Sequence, residues 1–392
     1  MDKRINFVLI SPHFPANYET FAHRLRENDI NTLGIGDAPY EELTEGLRHA
    51  LVEYYRVDDM NDYDQMYRAV AYFAHKYGKI DRIESHNEYW LESDAKLRTD
   101  FNVFGFKEAD MERIKTKSKM KEVFKKHKIP VAKGRVFKDE ADARKLAKQL
   151  KFPVVIKPNT GVGASDTYKV SSSEELDAFF HKRNPEVSYI MEEFIPGEIV
   201  TFDGLVDRDG RIVFYSTIVH NATLLDIVEN DQDMFYFLPR EIPSDLLELG
   251  TKCVEAFAIK ERFFHFEFFR TQPNGDLMAL EINCRPPGGL TIDMFNYANE
   301  FDIFNEYAQL VKHNQFQAEV LRPYHCLYVS RKSHSHYVHT EEEVRQRYAD
   351  ELISVQHVPG VFSSIMGDVG FIFNTSNTDT LHEIVNFVRA KH

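Results

Sequence analysis

Two short segments can bring oxygen ligands together: Phe263-Phe264-His265-Phe266-Glu267-Phe268-Phe269 and Leu277-Met278-Ala279-Leu280-Glu281-Ile282-Asn283-Cys284, joined across Pro273-Asn274-Gly275. That tripeptide suits a three-residue hairpin loop, with proline setting the first turn residue and glycine taking the left-handed position. Such a loop pairs Gln272 with Asp276, which sets Glu267 opposite Glu281 and His265 opposite Asn283. Side chains alternate along a strand, so Glu267, Glu281 and Asn283 share one face, the last two roughly 6.6 Å apart. A slip of one residue would separate the glutamates. Carboxylates facing each other across strands repel by roughly 0.2–1 kcal/mol, and more among phenylalanines, so a cation is expected between them. Two carboxylates and an amide, without cysteine, select a hard ion such as Mg²⁺ or Mn²⁺ over zinc. The alternatives are a solvated acidic face or a pair sharing one proton.

Arg285-Pro286-Pro287-Gly288-Gly289 follows at once. The prolines fix the backbone, so Arg285 is held beside the ion where it can clamp a phosphoryl group or a carboxylate. Upstream, Phe152-Pro153-Val154-Val155-Ile156-Lys157 reads as a buried strand ending in a lysine. It runs into Pro158-Asn159-Thr160-Gly161-Val162-Gly163-Ala164-Ser165. The amides of Gly161, Gly163, Ala164 and Ser165 could wrap a triphosphate while Lys157 supplies a point charge, although the string is neither GxxxxGK[ST] nor GxGxxG. Met191-Glu192-Glu193-Phe194-Ile195-Pro196-Gly197-Glu198 reads as a strand entering a hinge turn. Glu192 or Glu193 could accept from an adenine amino group and Glu198 from ribose hydroxyls; a solvated acidic turn is the alternative. Lys115 to Lys128 carries seven lysines against the single acidic Glu122. Taken alone, this reads as a solvated helix face.

The elements that must hold these residues fall in three stretches. Short β-rich runs at Ile5–Ile10, Ile30–Ile35, Val52–Val57 and Ile80–Ser85 alternate with helical stretches near 17–28, 61–77 and 88–100. This is the pattern of a parallel sheet covered by helices. The turn after the first run, Ser11-Pro12-His13-Phe14-Pro15, has no glycine for a pyrophosphate, so a dinucleotide cofactor is not expected. After the basic helix come strands near 134–137, 153–157, 166–170 and 187–193 with helices at 139–150 and 173–182, a small α+β unit. A second α+β layer has strands at 199–206 and 211–219 joined by Asp207-Arg208-Asp209-Gly210, helices at 244–258 and near 296–313, and the hairpin at 262–284. The tail alternates strands near 324–331 and 367–373 with helices near 340–350 and 378–390.

The 392 residues are too many for one ordinary core, and 43% hydrophobic and 28% charged residues exclude disordered and collagen-like classes. A net charge of −14 argues against nucleic-acid and anionic-membrane partners. Cys253, Cys284 and Cys326 form no CxxC, and the start of the chain lacks a long apolar core, so a reducing cytoplasm is the expected compartment. The histidines at 325, 334, 336, 339 and 357 are too ordinary, among 17, to indicate a second metal site. The sequence is silent on assembly, and a homodimer is the default.

Taken in order, Lys117 with Pro130 after it, Lys157 with its glycine loop, Met191-Glu192-Glu193-Phe194 with Gly197, Glu267, and Glu281-Ile282-Asn283-Cys284-Arg285 resemble the ATP-grasp superfamily over residues 1–320. The resemblance implies an ATP-grasp fold, α/β and α+β, preceded by a Rossmann-like domain similar to the N-terminal domain of biotin carboxylase. The implied division is 1–108, a small lid unit with its leading helix at 109–190, and a large unit with the tail at 191–392. It further implies that Lys117 and Lys157 contact the ATP phosphates, Glu192 to Ile195 the adenine, and Glu267, Glu281 and Asn283 the Mg²⁺. Arg285 would contact the phosphoryl or acyl group. The family's ribose glutamate falls one residue beyond Glu198, where this chain has Ile199. The implied activity is an ADP-forming carboxylate–amine ligase working through an acylphosphate on small-molecule carboxylate and amine substrates, similar to amino-acid ligases. The competing expectations are a bicarbonate-activating carboxylase or carbamoyl-phosphate-type enzyme, and an ATP-binding protein without turnover.

Overall fold

The computed structural model describes residues 4–161, 166–220, 227, 230–358 and 360–392. Four parallel strands, β1 (Asn6–Ile10), β2 (Asn31–Gly36), β3 (Glu53–Arg56) and β4 (Arg82–Glu84), form the N-terminal sheet in the order β3-β2-β1-β4. Being apolar on both sides, β1 needs two covers. Val8 and Ile10 pack with Met66, Val70 and Phe73 of α3 (Tyr63–Tyr77), while Phe7 and Leu9 face Phe21 and Leu25 of α1 (Glu19–Glu27). Between these helices lies the short α2 (Glu45–Ala50), which the sequence reading missed, and α4 (Leu91–Asp100) closes the unit.

Helix α5 (Glu108–Lys115) stops at the extended Thr116, and α6 (Lys117–Lys126) begins immediately after it. The basic run is therefore cut in two. Met111, Ile114, Met120 and Phe124 bury the apolar stripes of both helices in the core beneath the hairpin ribbon.

A small antiparallel sheet follows, ordered β5-β8-β6-β7: β5 (Gly134–Val136), β6 (Val154–Pro158), β7 (Tyr168–Val170) and β8 (Tyr189–Glu193). It has its own core under α7 (Glu140–Leu150) and α8 (Ser173–Lys182), built from Phe137, Leu146, Ile156, Leu176, Phe179 and Met191.

Among the described residues the large sheet has nine strands. They are β9 (Gly197–Val206), β10 (Ile212–Ser216), β11 (Val219–His220), β12 (Phe235–Leu238), β13 (Arg262–Thr271), β14 (Leu277–Asn283), β15 (His325–Arg331), β16 (Leu352–His357) and β17 (Val369–Thr375). The order is β14-β13-β9-β11-β12-β15-β17-β16, with β10 also on β9. The tail strands thus continue the same sheet. Helix α9 (Ser244–Phe257) backs it, and the single helix expected near 296–313 is two, α10 (Thr291–Asn299) and α11 (Ile303–His313), parted where Glu300 adopts a left-handed conformation. The tail adds α12 (Glu341–Arg347), α13 (Gly360–Met366) and α14 (Thr378–Arg389).

The hairpin departs from its expected geometry twice, and the departures cancel. Gly275 takes the expected positive φ of 77°, but Thr271 exchanges hydrogen bonds with Asp276 and Gly275, so the loop has four residues, not three. Arg270 accordingly pairs with Leu277, one place off the expected register. A bulge beyond Glu267 absorbs the extra residue and restores Glu267↔Glu281 and His265↔Asn283. The apolar pattern records it: Leu277 and Ala279 bury in the core before the bulge, Ile282 and Cys284 after it.

Candidate functional site

Alternation along β13 sends Phe264, Phe266 and Phe268 into the core and leaves His265 and Glu267 on the opposite face. Across the ribbon, Glu281 and Asn283 occupy the paired positions, so the grouping expected from the sequence is formed. On the other side of β13, β9 sets Thr201 opposite Glu267 and Asp203 opposite His265.

These neighbours organise the face. His265 Nδ1 lies 2.5 Å from Asp203 Oδ1 and its Nε2 lies 3.3 Å from Glu267 Oε1, while Thr201 donates its hydroxyl to Asp203. Burial works against a charged imidazole, but Asp203 and Glu267 outweigh it and raise His265 to about 9. His265 is therefore an imidazolium at neutral pH. Burial pushes Glu267 upward, yet the His265 hydrogen bond and charge hold its carboxyl below the usual range. Glu281 goes the other way: burial and the Glu267 charge raise it against the pull of Lys117 and Lys157.

Lysines approach from α6 and β6. Lys117 Nζ lies 3.4 Å from Glu281 Oε1 and donates to the Gly161 carbonyl at 3.4 Å, while the Lys117 amide donates to the Asn159 carbonyl at 2.8 Å. Lys157 Nζ sits 2.9 Å from Glu192 Oε2, and Lys121 Nζ sits 2.7 Å from Glu192 Oε1. All four of Lys117, Lys121, Lys157 and Glu192 are buried. Burial alone would depress Lys157, but Glu192, Glu281 and Glu267 raise it above its ordinary value, so it stays charged.

The hinge residues spread out. Glu193 accepts from the Lys133 amide at 2.7 Å, the Phe194 ring lies 4.3 Å beneath Lys169 Nζ, Ile195 is half-buried, and Glu198 is exposed at the start of β9 opposite Arg270. Gly161 has a φ of 140°; Gly163, Ala164 and Ser165 lie outside the described residues. Arg285 donates through Nη1 to the Pro286 carbonyl at 2.7 Å, with its Nε 3.6 Å from Glu88 Oε2.

Sequence reasoning missed Lys121, Asp203 and the pairing role of His265. Lys117 and Lys121 stand four apart on one helix, a spacing that would have marked them as neighbours. Asp203 had no local signal, because only the β9–β13 register brings it to the site. The tail histidines serve local contacts instead: His334 Nε2 lies 2.6 Å from Asp231 Oδ2, and His339 stacks on Phe387 at 3.6 Å. Among the described residues no group of three or more His, Cys, Asp or Glu side chains is arranged to hold a metal, and no helix is long and apolar enough to cross a membrane.

Residues 150–293 match the model of the ATP-grasp domain, so the chain carries that domain, with a Rossmann-like parallel sheet before it. The chain is 27% identical over 295 residues to the L-arginine-specific L-amino acid ligase of Bacillus subtilis, covering 73% of this chain and 70% of that one. Its fold matches the crystal structure of L-amino acid ligase from Bacillus licheniformis with a TM-score of 0.76 at 16% identity, covering 98% of this chain and 97% of the other. It also matches the biotin carboxylase domain dimer of 2-oxoglutarate carboxylase from Hydrogenobacter thermophilus, in complex with MgADP, ADP and bicarbonate. There the TM-score is 0.70 at 15% identity, with 94% of this chain and 86% of that chain covered. By sequence the chain carries an ATP-grasp domain and resembles an amino acid ligase, and its fold is that of these solved structures.

Proposed function

We propose that the protein is an ADP-forming carboxylate–amine ligase that activates a small carboxylate, an amino acid first among candidates, as an acylphosphate. The observation that carries the reading is the Glu267–Glu281 pair facing across one ribbon and flanked by buried lysines. In this reading Glu267, Glu281 and Asn283 hold Mg²⁺, an all-oxygen set that suits it; the ion, when bound, supplies charge neutralisation between the ATP phosphates. The Lys117–Glu281 contact supports this, because an ammonium there holds the place of part of that charge. Lys117 and Lys157 contact phosphates with the loop at Gly161, Gly163, Ala164 and Ser165. Lys121 and Lys157 fix Glu192 at the adenine edge, with Glu193, Phe194 and Ile195 beside it and Glu198 toward the ribose. Arg285 binds the transferring phosphoryl or the acyl oxygen.

A substrate carboxylate then attacks the γ-phosphorus in line, ADP leaves, and the amine displaces phosphate from the acylphosphate. The proposed division is 1–108, 109–190 and 191–392, with the small sheet closing over the nucleotide to exclude water. Its separate core supports such movement. Three buried, unpaired cysteines suit a reducing cytoplasm, and a homodimer is the proposed assembly, as in the dimeric carboxylase domain.

Phosphate release from ATP and Mg²⁺, with single amino acids and then pairs, tests the reading. Release stimulated by a pair, with the coupled amide product detected, is expected. Release stimulated by bicarbonate alone, or binding of ATP without any turnover, would overturn it.

A further inference from the structure

The N-terminal sheet reaches the Arg285 turn through two carboxylates. Glu84, the last residue of β4, accepts from Arg262, which opens β13, and from Arg98 Nη2 at 3.1 Å. Arg262 Nη1 in turn donates to the Cys284 carbonyl at 2.7 Å, the peptide group that leads into Arg285. Four residues beyond Glu84, Glu88 is tied down by Lys115: Nζ donates to Glu88 Oε1 at 2.9 Å and to the Glu88 carbonyl at 3.0 Å. The other oxygen, Glu88 Oε2, lies 3.6 Å from Arg285 Nε and is buried without a hydrogen-bond partner. That separation exceeds a hydrogen bond, so the attraction is Coulombic, and burial strengthens it.

We propose that Glu88 is a positioning residue for Arg285: it draws the Nε edge of the guanidinium toward the N-terminal sheet while Arg262 anchors the preceding carbonyl. The inference rests on the reading of Arg285 given above. A guanidinium presents its donors in a rigid planar fork, so fixing one edge fixes the direction of the rest. Held this way, Arg285 presents its remaining donors to the reacting oxygen in one orientation, which is where misplacement is most damaging to rate. The N-terminal sheet thereby helps assemble the reacting centre as well as flanking it.

The test is steady-state phosphate release by the full chain carrying Glu88→Gln, Glu88→Asp, Arg285→Ala, and Glu88→Gln with Arg285→Ala together. Glu88→Asp keeps the charge beside Lys115 but retracts it from Arg285. Both single Glu88 variants are expected to lose about tenfold or more in kcat with KM for ATP little changed, and Glu88→Gln should cost nothing further once Arg285 is alanine. If Glu88→Gln does not fold, Glu88→Asp carries the same comparison. Wild-type kcat in the Glu88 variants, or losses that add in full to those of Arg285→Ala, overturn the proposal while leaving the ligase reading intact. Full activity in Arg285→Ala overturns the role of Arg285 itself, and the proposal with it.

Discussion

Glu281 is the residue on which the electrostatics turn, because burial raises it and so does the very neighbour, Glu267, with which it is expected to share an ion. Glu281→Gln keeps the shape and removes the charge. We expect kcat for phosphate release to fall by about 10²–10³, the range for losing one charge-stabilising group, with the melting temperature unchanged or higher. His86 makes a second, independent prediction. It stacks on Phe21 at 4.0 Å, and burial lowers it to about 4, so the folded protein keeps it neutral. Between pH 6.5 and about 4 the unfolded chain gains a proton that the folded chain refuses. His86 therefore withdraws up to about 3 kcal/mol of stability as the pH falls through that window. Urea denaturation of His86→Asn across the window should show a shallower acid loss than wild type.

Strands carry the site, and their close approaches set its dimensions. A Cβ on Gly134 would stand 2.3 Å from the Met191 carbonyl oxygen and 2.8 Å from the Glu192 Cα, both backbone atoms. Gly134→Ala must push β5 off β8 and displace Glu192 from its lysines. We expect a loss of about 1–3 kcal/mol in stability and a higher KM for ATP, measured by thermal melting and kinetics. The ribbon shows how far the sequence could be read. Glu267 and Glu281 were placed face to face correctly, but through a loop counted one residue short and a bulge not foreseen. The shift of apolar parity between Ala279 and Ile282 was the legible sign of that bulge. Of the N-terminal strands, β1 and β2 were clear because each is a short, largely buried run rich in aliphatic residues, whereas β12 and β16 were missed. β12 pairs with β15, some ninety residues further along the chain, and β16 pairs with the next strand, β17. The break at Glu300 was equally hidden, since a left-handed glutamate carries no glycine to announce it.

Across the molecule, the N-terminal and large sheets are joined by buried charges rather than by apolar packing alone. Arg82 and Arg208 both bind Glu261, and Glu84 binds Arg262 and Arg98. Removing one member strands the others away from water. Arg262→Met should therefore destabilise by about 3–5 kcal/mol in urea denaturation, with Glu84 left only Arg98. The central claim, that the ribbon glutamates grip a divalent ion bridging a nucleotide, is most directly tested by calorimetric titration of a non-hydrolysable ATP analogue with and without Mg²⁺. Wild type should bind at least about tenfold more tightly with the ion, a difference of about 1.4 kcal/mol, and Glu281→Gln should abolish that gain. Equal affinity with and without Mg²⁺, or a gain that survives Glu281→Gln and Glu267→Gln, would contradict it.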